Sequence, residues 1–295
     1  MSELPQTETI DPRTSGLDVL PTIELVTLLA HEQERGVEAV VHAAGSLAKA
    51  VDEISTRMRA GGRLHYVGAG TSGRLGILDA SEMPPTFGTP PELVRGHIAG
   101  GDVALTRAVE GAEDNYDAGH DDMRLHVRSG DAVVGLSASG GAPYVLGAIA
   151  GARESGAWTL GVTNSPDTPL LRAADLGIVL NTGPEPLTGS TRLKAGTSQK
   201  VLLNTLSTAT MVRLGKVYDN LMVDVVATNA KLRKRALRLV VHLTDVPEEE
   251  ARRVLQAASG RVKTAVVMCR RGVDPAEARM LLERSGGSLR AALGH

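Results

Sequence analysis

The sequence predicts an α/β protein with a parallel sheet, ligands at the carboxyl ends of the strands, and a small helical segment after it. Three observations lead there. Short apolar runs alternate with helical stretches over the first two thirds of the chain. The runs end in glycine, serine, threonine or asparagine, and from about Thr244 the pattern changes to short helical pieces divided by glycines.

The first 17 residues read as a polar, loose arm that orders against a partner subunit. Two helices follow. In the second, Val37, Val40, Val41, Ala44, Leu47, Ala48, Val51, Ile54 and Met58 recur at three-and-four spacing and mark one buried face, which Gly61-Gly62 ends. Leu64 to Val67 is the first strand. It runs into Gly68-Ala69-Gly70-Thr71-Ser72-Gly73 and a helix from Arg74 to about Met83, stopped by Pro84-Pro85.

Leu93 to Ala99 is the second strand, and Ala104 to Glu113 is read as a helix with Glu110 and Glu113 on neighbouring positions. Asp131 to Leu136 is the third strand. It is followed by a second hydroxyl-glycine turn, Ser137-Ala138-Ser139-Gly140-Gly141, and a helix from Pro143. Trp158 to Val162 and Leu176 to Leu180 complete five strands. A hydroxyl-rich loop, Thr188 to Lys200, holds Ser190, Arg192 and Lys194 and leads into an apolar helix from Val201. Three short helices around Val254-Leu255, Val266-Val267 and Leu281-Leu282 close the chain.

The totals exclude several functions. A formal charge of -2 with 2% aromatic residues in 295 argues against a nucleic-acid binder. One cysteine, Cys269, rules out a disulfide framework or a multi-cysteine metal site. No apolar run nears membrane-spanning length and the amino terminus carries no apolar signal core, so a cytoplasmic protein is expected.

A strand, a glycine-rich turn and a helix start make an anion site, because the N–H groups of the first helical turn lack intrahelical acceptors and the helix dipole favours negative charge. Gly70, Thr71, Ser72 and Gly73 form one such cradle and Ser137, Ser139 and Gly140 a second. Gly68 to Gly73 also spells G-x-G-x-x-G. A dinucleotide site wants an acidic residue about 20 positions on; Leu93 stands there, and the second turn is left unexplained. Two such turns fit a compact phosphate better. Glu82, set among apolar and proline residues, and Glu113 read from spacing alone as ordinary glutamates, since helical glutamates are usually solvent-facing. His65, inside an apolar strand, reads as a core histidine.

VGAGTSGRLGILDASEMPPTFGTPPELV, AVEGAED, TGSTRLKAGTSQK and GKVYDNLMVDVVATNAKL closely resemble the N-acetylmuramic acid 6-phosphate etherases, nearly end to end. The resemblance implies a sugar-isomerase fold, a three-layer α/β/α sandwich with a parallel five-stranded sheet. It further implies a tail similar to a ubiquitin-associated fold and a homodimer with composite active sites. The expected division is an arm with helices over 1–50, a sugar isomerase domain over 51–235 and a helical domain over 236–295. The implied reaction cleaves the D-lactyl ether of an amino-sugar phosphate and needs neither metal nor redox cofactor.

By the family motifs Glu82 and Glu113 are the catalytic pair, with Glu82 as proton donor to lactate and Glu113 as base. The phosphate is expected on Gly70, Thr71, Ser72, Gly73, Ser137, Ser139 and Gly140, with Arg74, Lys194 and Ser190 as further substrate contacts. One departure stands out. The etherases usually read A-S-G-R-T-P at the second turn, whereas here Ala138-Ser139-Gly140 precedes Gly141-Ala142-Pro143. Met83 replaces a common Cys and Asp219 a usual Gly. The rival readings are a binding module resembling glucokinase regulatory protein and a sugar-phosphate isomerase.

Overall fold

Five parallel strands form one sheet in the order β2-β1-β3-β4-β5 in a computed structural model that describes residues 4–224 and 230–294, the Lys231 side chain excepted. Met1–Glu3 of the expected arm and Val225–Asn229 of the GKVYDNLMVDVVATNAKL stretch lie outside the described residues. The chain folds into two compact units, residues 1–81 with 91–207 and residues 82–90 with 208–295.

The first unit opens with 3-10 turns rather than a loose arm. Asp11 is buried and accepts from Arg13, whose guanidinium also meets Glu32 at 3.2 Å, so the arm is tied to its own chain. Helices α1 (Thr22–His42) and α2 (Ala44–Arg59) follow. They break at Ala43, inside the repeat that the sequence shows as one helix. Of that face, Val40, Leu47, Val51, Ile54 and Met58 are buried while Val37 and Val41 are exposed.

Strand β1 (Leu64–Gly68) is buried at every residue, as a sheet covered on both faces requires. Helix α3 (Gly70–Phe87) begins four residues before Arg74 and runs through Pro84 and Pro85. The prolines fall in its last turn, where their missing N–H groups remove bonds only at the fraying end. Strand β2 (Val94–Ile98) pairs with β1, and α4 (Tyr116–His126), unassigned from sequence, leads to β3 (Ala132–Leu136) on the other side of β1. Between β2 and α4 the expected helix over 104–113 is absent. Two 3-10 turns, Gly101–Leu105 and Ala112–Asp114, replace it, because Gly111 takes a left-handed φ of 70° that a helix cannot hold. Helix α5 (Pro143–Glu154), β4 (Trp158–Thr163), the short α6 (Pro169–Ala173) and β5 (Leu176–Val179) finish the sheet. Helix α7 (Lys194–Arg213) starts inside the expected loop.

At the amino ends of the strands a buried charged group anchors the sheet. Asp131 accepts from the Arg63 N–H and guanidinium and from the Arg128 N–H. His65, fully buried as expected of a core histidine, places Nε2 3.3 Å from Asp131 without hydrogen-bond alignment, and Nδ1 3.0 Å from His97.

In the second unit a hairpin, β6 (Val217–Tyr218) and β7 (Leu221–Met222), turns at Asp219, which has φ 54°. The three expected helices are α9 (Glu248–Ala257), α10 (Val262–Arg271) and α11 (Pro275–Arg284). They are joined by α8 (Ala230–Thr244) before them and the single turn α12 (Leu289–Leu293) after them. Ala236, Val240, Ala251, Ala265, Val266, Ala278 and Leu289 form their shared core, and Arg290 stacks 4.9 Å over the Tyr218 ring.

Candidate active site

Sheet order fixes where a ligand can sit. The chain moves from β1 outward to β2, then returns past β1 to β3 and proceeds the other way. The crevice at the carboxyl ends of β1 and β3 is therefore the topological switch point, the preferred ligand position in open α/β sheets. Gly68 and Leu136, the last residues of the two strands, are register partners. Both hydroxyl-glycine turns thus leave the same end of the sheet side by side.

The first turn is itself the opening of α3. Gly70, Thr71, Ser72 and Gly73 are helical, with Gly73 N–H bonded to Ala69 O at 3.2 Å. A side chain at Gly73 would come within 2.6 Å of Ile98 and 2.7 Å of Gly68 O, so the helix can start this close to the sheet only with glycine there. Ser72 is buried, Thr71 half-buried and Gly70 exposed.

In the second turn Ser137 is buried and its hydroxyl accepts from Gly140 N–H at 3.0 Å, which leaves its own O–H to donate. Ser139 is half-buried, its oxygen 3.4 Å from Gly141 N. Gly140 has φ 69° and lies so close to Thr168 that an added Cβ would stand 2.4 Å away. Helix α5 then begins on Ala142 and Pro143 without a side-chain cap.

A third helix start lies beside the first turn. Gly196, in the first turn of α7, is 3.4 Å from Thr71 Cγ2 when given a Cβ. Its orphan N–H groups are already answered: the buried Glu185 accepts from Lys194 N–H at 3.2 Å and Ala195 N–H at 2.9 Å. Burial pushes the Glu185 carboxyl up, against those N–H bonds and the Lys194 ammonium, which pull it down. The chain's own carboxylate fills the start of α7, whereas that of α5 has no side-chain cap among the described residues and is free to take an external anion. Sequence reading misses Glu185, and nothing around it in Pro184-Glu185-Pro186 signals a cap.

Of the further contacts expected, Ser190 is half-buried in the loop before α7. Lys194 is fully buried, with Nζ 2.5 Å from Glu32 Oε2. Arg74 donates to Leu105 O at 3.2 Å and Arg107 O at 3.4 Å, so it pins the loop between β2 and Glu113 onto α3. Ala112, next to Glu113, packs against the same apolar cluster as Ala69 beside the first turn and Ala142 beside the second. Glu113 itself is exposed.

Glu82 is exposed as well, not enclosed as its neighbours in sequence suggest; Met83 is the buried residue. Asp79, three positions earlier, is buried and accepts from Tyr66 O–H at 2.9 Å, Asn204 at 2.7 Å and Ser207 at 3.1 Å. It fixes α3 against β1 and α7.

Comparison with known proteins agrees with this fold. Residues 46–153 match the glucokinase regulatory protein N-terminal SIS domain and residues 107–209 the SIS domain. N-acetylmuramic acid 6-phosphate etherases of Salmonella choleraesuis and Salmonella typhimurium are each 52% identical over 289 residues, covering 98% of this chain and 97% of theirs. Among solved structures, a putative phosphosugar isomerase involved in capsule formation from Bacteroides fragilis superposes with TM-score 0.53 at 21% identity, over 68% of this chain and 95% of its own. A phosphoheptose isomerase from Francisella tularensis gives TM-score 0.50 at 18% identity, over 65% and 98%. The two solved structures speak for the fold alone.

Proposed function

The chain belongs to the N-acetylmuramic acid 6-phosphate etherases, and from that premise we propose how its residues carry the reaction. The enzyme cleaves the lactyl ether of N-acetylmuramic acid 6-phosphate, with water, to N-acetylglucosamine 6-phosphate and D-lactate. An ether is inert, so the ring-opened aldehyde is the reacting form, because its carbonyl acidifies the C2 proton. A base takes that proton and the C3–O bond breaks. An acid protonates the departing lactate oxygen, and water adds to the alkene at C3.

The observation that carries this reading is the pair of hydroxyl-glycine turns at the switch point of adjacent strands, with Ala112, beside Glu113, on the same apolar cluster as Ala69 and Ala142 of their flanks. The 6-phosphate rests on the first turns of α3 and α5 and on Thr71, Ser72, Ser137 and Ser139, which supplies binding energy remote from the bond being broken. Glu113 is the base at C2 and in water addition, and Glu82 the acid. Eleven residues of α-helix advance about 17 Å, so Glu82 and Thr71 of one chain stand at well-separated points of α3. Glu82 then serves the cradle of a second copy, in a homodimer with composite sites. The exposed apolar residues Ile23, Val26, Val37 and Val41 of α1 support such an association. No helix among the described residues is long and apolar enough to cross a membrane; the substrate is a soluble sugar phosphate and the compartment the cytoplasm.

The test is D-lactate release from N-acetylmuramic acid 6-phosphate by the wild type, Glu82→Gln and Glu113→Gln. Loss of release in both variants, with sugar-phosphate binding kept, is the expected result. Release that survives both would overturn the site assignment. Tight binding without release in the wild type would make the chain a regulator. If Glu82 works in trans, mixing the two variants restores up to a quarter of the activity on statistical pairing, since half of the dimers are mixed and each mixed dimer keeps one intact site.

A further inference from the structure

The second unit contains a cavity of about 700 Å³ that shares no residue with the candidate active site. That volume suits a small metabolite. Lys216, Arg261, Lys263 and Arg279 line it, against two carboxylates, Asp224 and Glu283.

Lys263 is the buried member, with its side chain 9% exposed. Its Nζ donates to Gly287 O at 2.8 Å and lies 3.3 Å from Asp224 Oδ2. Lys216 Nζ reaches the same Oδ2 at 2.5 Å. One carboxylate thus answers two ammonium groups. Burial lowers the Lys263 pKa and the Lys216 charge adds to that, while Asp224 opposes both. Arg261 and Arg279 stand exposed on the rim, and neither is in an ion pair among the described residues. Glu283, on the same rim, subtracts one charge and leaves an excess of two positive charges. The opening of α10 adds to this field: Arg261 at its N-cap offers no acceptor, and Val262, Lys263 and Thr264 of its first turn line the same wall.

We propose that this cavity is a second anion site, separate from the sugar-phosphate cradle, which takes a small oxyanion, a carboxylate or a phosphate. Lys263 forms its floor and Arg261 and Arg279 its mouth. The site does not depend on the reaction assigned above.

Calorimetric titration of the full-length protein at low salt, with inorganic phosphate and separately with sodium D-lactate, tests it. Phosphate is expected to occupy two classes of site per chain. Ser72→Ala with Ser139→Ala removes one class. Arg261→Gln with Arg279→Gln weakens the other about tenfold, roughly threefold for each exposed cation. Because both arginines are exposed, that variant should keep its fold and its cradle class. D-lactate displacing phosphate from the second class would identify a carboxylate site; phosphate alone binding there would identify a phosphate site. A single class abolished by the serine variant, with no D-lactate binding that depends on Arg261 and Arg279, would overturn the proposal. So would a second class indifferent to both arginines.

Discussion

Lys194 Nζ meets Glu32 Oε2 at 2.5 Å in the interior of the first unit, and this contact joins α1 to the first turn of α7. Thr197 adds a bond to Gln33 at 2.7 Å, and Gly36 lies so close that a Cβ would stand 2.8 Å from Lys194 O. Burial pushes the Glu32 carboxyl up, but the Lys194 ammonium, Arg13 and Arg35 outweigh it and hold the group below its usual range. Lys194 thus holds α7 in place, with Gly196 of its first turn beside Thr71. Removing one partner strands the other charge, so Glu32→Ala should cost about 3 kcal/mol in urea unfolding. Glu32→Met with Lys194→Met, which removes both charges, should recover most of it. A double variant no more stable than the single one would refute this account.

The second turn separates two adjacent glycines. Gly140 has a left-handed backbone and a Cβ position 2.4 Å from Thr168, whereas a Cβ at Gly141 meets only Ser139 Oγ at 4.0 Å. Gly140→Ala should therefore destabilise by roughly 2–4 kcal/mol and raise KM for the sugar phosphate. Gly141→Ala should change stability by less than about 0.5 kcal/mol.

The open space at Gly141 also bears on the residues usual in the family. Ala142 is the uncapped N-cap of α5, directly before Pro143, so Ala142→Thr should add about 1 kcal/mol through a capping hydroxyl. Gly141→Arg with Ala142→Thr should lower KM for N-acetylmuramic acid 6-phosphate, because it returns a guanidinium and a hydroxyl for the substrate's phosphate or its lactyl carboxylate. Steady-state kinetics decides this, and an unchanged KM would refute it.

The buried group at the amino ends of the strands predicts a loss of stability in acid. Burial, then the neighbouring His65, His126, Arg95 and Arg63, lowers His97 from 6.5 to about 3. Between those values the unfolded chain binds the proton and the folded chain does not. Stability is fully present above about pH 6.5 and falls as pH drops toward 3, by an amount on the order of a few kcal/mol. Asp131 is pushed up by burial but held well below the carboxylate range by His65 and Arg63, and it adds a loss of the same sign at lower pH. His97→Gln removes the first contribution. Its acid unfolding midpoint, followed by circular dichroism, should move down by about half a pH unit.

How much of this is legible in the sequence follows from the range of each interaction. The five strands are readable because each is a short apolar run closed by turn residues, a signal contained in six or seven positions. What the sequence hides all needs a neighbour distant along the chain. The start of α7 depends on Glu185 capping it and on Glu32 neutralising Lys194. The arm is ordered by Arg13 reaching Glu32. The apolar neighbours of Glu82 mislead about its exposure because successive helical residues turn by about 100°, so the burial of Met83 says nothing of the residue before it. The proposed catalytic pair comes from motif resemblance, since two exposed glutamates on separate elements carry no local mark of a role.

Asp219 shows a departure from the family that the backbone makes measurable. It occupies the turn of the β6–β7 hairpin with φ 54°, a left-handed conformation that glycine adopts freely and aspartate only at a cost. Asp is among the residues that tolerate it best, so the expected cost is small, about 0.5–1 kcal/mol. Asp219→Gly should therefore stabilise the second unit and raise its melting temperature by about 2 °C, and Asp219→Val should lower it by more, because a β-branched side chain fits that region poorly. Calorimetry on the three proteins checks the order Gly, Asp, Val. If Asp219→Gly were the less stable protein, the carboxylate would have to be making a contact that outweighs the backbone strain.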